Sequence, residues 1–197
     1  MKKLLFLLVA SLWLSGCAAM TETIELSYNS HLDITKAPRA SDVVVSVKAN
    51  DQRQDIDNIV SWKKNLFGMK LAPIMTGELV TVTLRRAIEQ ELRSRGFTIG
   101  SEASVFIVAD LTKFWNDFKF GFFAGDSSAE LSMTISVQDK NENVLYSKYI
   151  LAEGTEENIQ LMNGKNARLA LEKALANGVK LLFGDPAFMP ALLGSSK

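Results

Sequence analysis

One cysteine and one histidine in 197 residues leave little of the usual catalytic chemistry. Cys17, being alone, cannot close a disulfide within the chain. His31 falls in a polar leader, where an imidazole is ordinarily solvated. With no G-x-S-x-G elbow and no thiol beyond Cys17, neither a Ser-His-Asp nor a Cys-His arrangement can be assembled. Phosphate-cradling glycine loops of the P-loop or dinucleotide type are missing too. Neither sign of charge is in excess, 22 Lys and Arg matching 22 Asp and Glu. A neutral chain has no general electrostatic reason to hold nucleic acid or an anionic membrane surface. Asp51, Asp55 and Asp57 do not have calcium-loop spacing: counted from Asp51, the glycine and carboxylate positions hold Ile56 and Trp62, and counted from Asp55 they hold Val60 and Leu66. No metal, no cofactor and no enzymatic activity are therefore expected.

The N-terminus is better furnished. Lys2 and Lys3 precede LLFLLVASLWL, an apolar run of eleven residues, too short to span a bilayer and of the length of a secretory signal. The run ends in Leu14-Ser15-Gly16-Cys17, which resembles the lipobox of bacterial lipoproteins. That resemblance implies diacylglycerylation of the Cys17 thiol, cleavage just before it, and acylation of the new amino group with a chain such as palmitate. Two or three acyl chains, at about 0.8 kcal/mol per buried CH₂, give stable anchoring. By the sorting rule of such lipoproteins, Ala18 after the cysteine points to the outer membrane of a Gram-negative cell, with the domain in the periplasm. Loss of residues 1–16 leaves a net charge of about −2.

The mature chain divides into Cys17 with a tether (17–41), a domain (42–185) and an apolar tail (186–197). The tether has few bulky apolar residues, although Ile24-Glu25-Leu26 could add a short edge strand, and its residues 18–41 fully extended would reach on the order of 80 Å. Val43-Val44-Val45-Ser46-Val47-Lys48 alternates as a strand with one buried face and runs into the turn Asp51-Gln52-Arg53-Gln54-Asp55. There an acidic residue ends the strand and accepts backbone or Arg53 hydrogen bonds. Residues 56–75 read as irregular. With Thr76 as N-cap, Val80, Leu84, Ala87, Ile88, Glu91 and Leu92 make a largely apolar helical stripe, stopped at Gly96; Arg85–Glu89, Glu89–Arg93 and Glu91–Arg95 suit a solvated face. Strands follow at 105–113, 130–138 and 144–151, then a helix from about Lys165 to Phe183. The order β-α-β-β-β-α predicts an α/β (α+β) two-layer sandwich: a four-stranded mixed sheet with two helices on one face.

The lipobox LSGC, the strand-to-turn stretch VSVKANDQRQD at 45–55 and the helix ending LRSRGFTIG at 92–100 resemble the YajG family of outer-membrane lipoproteins over nearly the whole mature domain. The topology also resembles envelope domains that bind proteins, such as the N-terminal domain of TolB and the LpoB-type activators. These resemblances imply a fold and an address rather than a reaction.

KFWNDFKFGFFAGD, residues 113–126, remains. At 105–111 the apolar row occupies odd positions; from Phe114 it occupies even ones. A one-residue shift exchanges the faces of a strand, so either a bulge near Thr112–Asn116 re-aims it or the aromatics leave the core face. Phe114, Trp115, Phe118, Phe120, Phe122 and Phe123 are accordingly candidates for partner contact, being aromatics set among polar residues. The reading is a non-enzymatic outer-membrane lipoprotein whose periplasmic domain is a binding or adaptor module for another envelope protein. The alternative is a carrier of an apolar small molecule or lipid.

Overall fold

The structure, a computed structural model, describes residues 20–30, 34–54, 58–65, 67–119 and 124–194. The leader 1–16 with Leu14, Ser15 and Gly16, Cys17, His31, Asp55, Asp57, Phe120, Phe122 and Phe123 lie outside the described residues. The chain runs β1 (Glu22–Ile24), a 3-10 turn (Ala40–Asp42), β2 (Val44–Asp51), β3 (Ile59–Lys64), β4 (Lys70–Thr76), α1 (Val80–Ser94), β5 (Thr98–Ile99), β6 (Val105–Lys119), β7 (Gly125–Asp139), β8 (Val144–Ile159), α2 (Gly164–Phe183) and α3 (Phe188–Gly194).

These strands form two sheets, and the described residues form three α-helices, where a single four-stranded sheet with two helices is expected: a five-stranded sheet β5-β2-β6-β7-β8 and a three-stranded sheet β1-β4-β3. In the large sheet β2 is parallel to β5 and β6, and β6, β7 and β8 form an antiparallel meander. The small sheet comes from chain expected to be leader and irregular segment. β3 and β4 make a hairpin, and β1 adds to β4 in parallel, Glu22 opposite Ile74 and Ile24 opposite Thr76. Pro73, which spoils the strand pattern, lies one residue before the stretch that β1 covers, where β4 has a partner on its β3 side alone.

One face of the large sheet is core. Val45 and Val47, the odd positions Val105 to Leu111, the odd positions Ala129 to Val137, and Ile150 with Ala152 are all buried. Against them α1 sets Val80, Leu84, Ala87, Ile88 and Leu92, and α2 sets Leu171, Ala174, Leu175, Val179 and Leu182. α2 crosses β8 so closely that a Cβ on Gly154 would stand 2.3 Å from the Ala170 carbonyl oxygen. α1 begins at Val80 rather than Thr76, because Thr76 ends β4 and its hydroxyl donates to the Glu78 carbonyl at 2.7 Å. Gly96, at φ 96°, stops the helix as expected. The tail is α3, and its Phe188 is fully buried against Tyr146 and Phe183, with ring centroids 5.5 and 5.3 Å away.

Residues 22–28 are packed rather than loose. Beyond β1, the Ser27 backbone N–H and hydroxyl donate to Glu172 Oε1 at 3.0 and 2.8 Å, and the Tyr28 hydroxyl donates to Glu91 Oε1 at 2.6 Å. Glu91 also accepts from Arg95, whose guanidinium stacks on Phe183 at 4.5 Å. Both charges are buried, Glu91 completely and Arg95 to 8% exposure. The i,i+4 spacing expected to mark a solvated face thus marks an internal ion pair, while Arg85 and Arg93 do flank Glu89 nearer the surface.

Candidate functional site

The aromatic strand is re-aimed by a bulge at Thr112. The β6–β7 register shifts between Leu111 and Lys113, and the Thr112 hydroxyl donates to the Ser132 carbonyl at 3.1 Å. Before the bulge odd residues face the core; after it even residues do. Phe114 and Phe118 are therefore core, each 3% exposed, with Asn116 fully buried between them. Two of the six aromatics nominated for partner contact are thus removed from any surface. Trp115 points the other way, half-buried on the open face opposite Glu130.

Asn116 explains how a polar residue survives in that row. Its amide donates to the Ser61 hydroxyl at 3.1 Å, its side-chain oxygen accepts from the Ser127 hydroxyl at 2.7 Å, and its backbone carbonyl accepts from Ser61 at 2.8 Å. All three residues are fully buried, so this network joins β3 of the small sheet to the far half of the β6–β7 hairpin. Satisfied buried polar groups of this kind fix one arrangement among several that apolar contacts alone would permit.

The strand-end turn is held by a fork. Arg53 Nε donates to Asp51 Oδ1 at 2.9 Å, Nη2 to Oδ2 at 2.7 Å, and the Arg53 backbone N–H to Oδ1 at 3.1 Å. Burial works to raise the Asp51 carboxyl, but the Arg53 hydrogen bonds and charge outweigh it and hold the group below its ordinary value. The Arg53 side chain is 5% exposed, and one arm also donates to the Ile59 carbonyl at 3.4 Å. It is a clamp between the end of β2 and the start of β3.

β2–β6 pairing places Asp51 opposite Leu111. That register brings the turn and the aromatic strand, separate in sequence, into one open cleft of about 450 Å³ lined by Gln52, Arg53, Gln54, Thr112, Lys113 and Trp115. A second shallow cleft of about 210 Å³ lies on the other side of Trp115, where Asp117, Lys119, Glu130 and Glu153 line it. Lys113 donates to Glu130 at 2.8 Å; that hydrogen bond, ahead of opposing burial, lowers the Glu130 carboxyl. The Trp115 surface is thus an indole set among paired charges. Aromatic residues rimmed by polar ones are what binding hot spots contain.

Tyr149 and Leu151, which no sequence motif marks, share this face. They stand 58% and 51% exposed, Leu151 across from Ser132 and Tyr149 across from Thr134. The signal for them was available: Tyr149-Ile150-Leu151 is apolar at consecutive positions of a strand, which puts apolar groups on both faces. A further groove of about 480 Å³ runs between the N-terminal segment, β8 and α2, with Ser27, Glu153, Glu172, Lys173 and Asn177 on its walls. Among the described residues no three His, Cys, Asp or Glu side chains group as metal ligands, and no helix is long and apolar enough to cross a membrane.

A family model described as "Uncharacterized lipoprotein" matches residues 31–192. The chain belongs to this lipoprotein family. It is also 25% identical over 178 residues to the uncharacterized lipoprotein YajG of Escherichia coli K12, covering 90% of each chain. The crystal structure of protein XCC0632 from Xanthomonas campestris superposes with a TM-score of 0.57 at 12% identity, over 90% of this chain and 99% of that one. The last is a likeness of fold alone. Membership accords with the resemblance read from LSGC, VSVKANDQRQD and LRSRGFTIG.

Proposed function

We propose that the protein is an outer-membrane lipoprotein, lipidated at Cys17, whose periplasmic domain is a non-enzymatic module that docks another envelope protein on the open face of the large sheet. The observation that carries the reading is the grouping of Trp115, Tyr149 and Leu151 on a sheet face that no helix among the described residues covers. Trp and Tyr supply large contact areas at small entropic loss, and paired charges around them make a rim. Lipid at Cys17 would hold this face in a thin layer and raise its effective concentration for a partner there.

The carrier reading has less to support it. The clefts beside Trp115 are open and edged by charge. The apolar void between α1, α2 and the sheet, beside Leu84, Leu111 and Leu175, is about 10 Å³, about the room of one water.

The test is photo-crosslinking in living cells with a photoreactive residue at Trp115 and, separately, at Tyr149. The same discrete protein adduct at both positions is expected, with none at Lys140 in the β7–β8 turn. Lipid adducts at Trp115 and Tyr149 would instead restore the carrier, and bare protein at both would end the docking proposal.

A further inference from the structure

The β3–β4 hairpin tip carries an apolar cap that the core does not use. Phe67 is 87% exposed, Met69 57% and Leu71 41%, and Met20 beside them is 64% exposed. The tip is built rather than loose. Asn65 Oδ1 accepts from the Phe67 and Met69 backbone N–H groups at 3.0 Å each, the Asn65 carbonyl accepts from Gly68 N–H at 2.9 Å, and Gly68 takes φ 77°. A turn so tightly bonded presents its apolar side chains outward at no cost in order.

Position says what such a cap meets. β1 runs parallel to β4, so its N-terminal end lies at the start of β4, beside the tip. Lys63 Nζ donates to the Met20 carbonyl at 3.1 Å and pairs with Glu22 at 2.9 Å, pinning the chain there. Cys17 is three residues upstream of Met20, a reach of about 10 Å when extended. A lipid on Cys17 therefore brings the bilayer surface to this end of the domain before any other. Lys63, Lys64 and Lys70 ring the cap, Lys64 bridged to Asp117 and Lys70 lying over the Trp62 ring at 5.2 Å. An apolar tip collared by lysines and an indole is the composition of a segment seated at a headgroup–acyl boundary.

We infer that Phe67, Met69, Leu71 and Met20 dip into the phospholipid leaflet that holds the Cys17 lipid, fixing the orientation of the domain on the membrane. The inference rests on the lipidation proposed above. The large-sheet strands then rise from the membrane, with the β7–β8 turn at Asp139–Asn143 at the far end; the 15 residues of β7 separate the two ends by roughly 45 Å.

The experiment uses the full lipidated chain in vesicles of phosphatidylethanolamine and phosphatidylglycerol. Phe67→Cys and, as the far-end control, Lys140→Cys are each labelled with an environment-sensitive fluorophore; in the lipidated protein the Cys17 sulfur is a thioether and does not react. Both sites are exposed, so labelling leaves the core untouched. Brominated lipids are expected to quench the label at 67 at least twofold more than the label at 140. Equal quenching in protein that still floats with the vesicles would overturn the membrane-seated tip while leaving anchoring intact. Mass spectrometry showing no lipid on Cys17, with protein that fails to float, would overturn both.

Discussion

The Tyr28 hydroxyl donates a 2.6 Å hydrogen bond to Glu91, a carboxylate with no exposed surface at the end of α1. A hydrogen bond to a charged group contributes about 1.5–3 kcal/mol, so Tyr28→Phe should lower the unfolding free energy by that much, read as a lower urea midpoint with the m-value unchanged. Glu91→Gln should do more, about 3–5 kcal/mol, since it leaves the buried Arg95 guanidinium unpaired. If Tyr28→Phe left the midpoint where it was, the N-terminal segment would not be fastened in solution.

Acid should weaken the fold by way of the same carboxylate. Burial raises Glu91, but hydrogen bonds from Ser30, Tyr28 and Arg95 prevail and hold it below the ordinary range. A depressed folded pKa contributes stability above the unfolded value of about 4.3, and that stability is lost as pH falls through the lower folded value. Tm should therefore drop below about pH 4, and less steeply in Glu91→Gln. At the other end, burial, with Asp185 adding to it, pushes Tyr146 up to about 12. Stability from the protonated phenol is present below about pH 10 and lost as pH rises toward 12. Tyr146→Phe should flatten the alkaline limb.

Asn116→Ala should loosen one sheet from the other. It leaves the buried Ser127 hydroxyl without its acceptor and takes the amide donor from Ser61, a loss of about 1–3 kcal/mol plus a small cavity. Hydrogen exchange should quicken in β3 and β4 before it does in β6 and β7. Uniform quickening would mean that the two sheets open as one unit.

Deleting Thr112 should be far more damaging. Without the extra residue, 113–119 slip by one position, which turns Phe114, Asn116 and Phe118 outward and Lys113, Trp115 and Asp117 inward. Near-UV circular dichroism should show loss of fixed aromatic packing. A native spectrum would show that the strand can restore the bulge elsewhere.

Substitution of the two kinds of aromatic separates core from contact. Phe118→Ala should destabilise by about 3–5 kcal/mol, the usual loss for a buried Phe, whereas Trp115→Ala should leave stability within about 1.5 kcal/mol and abolish the crosslink at Tyr149. A crosslink that persists in Trp115→Ala would move the docking surface away from the indole.

The parity change between Leu111 and Phe114 was legible as a bulge or an exit from the core. It does not say which, because β3, whose Ser61 bonds Asn116, is itself hidden in the sequence. Ile59–Lys64 and Lys70–Thr76 alternate poorly, Pro73 interrupts the second, and the register shifts twice within the hairpin. The leader reads mainly as a tether, with at most a short edge strand at Ile24-Glu25-Leu26, for a related reason: β1 is three residues long and buries Ile24 alone, and the partners of Ser27 and Tyr28 lie 145 and 63 residues away. The long alternating strands and the stripes of α1 and α2 were visible because each repeats a local period. The joining of Asp51 and Arg53 to Trp115 was not, since it depends on β2 lying beside β6 in a particular register. The same limit explains why a four-stranded sheet was expected: β5 is two residues long, and β1, β3 and β4 make a second sheet through distant pairing.

The parallel pairing of β1 with β4 has a mechanical side. A load arriving from the N-terminal end acts along the strand axis, so the β1–β4 ladder, Glu22 to Ile24 against Ile74 to Thr76, is strained in shear and its bonds share the force. Behind it the Ser27–Glu172 and Tyr28–Glu91 bonds form a second stop. A domain pulled from that end would resist as a clamp rather than unzip, and its lifetime under tension would be set by the rate at which these contacts give way together.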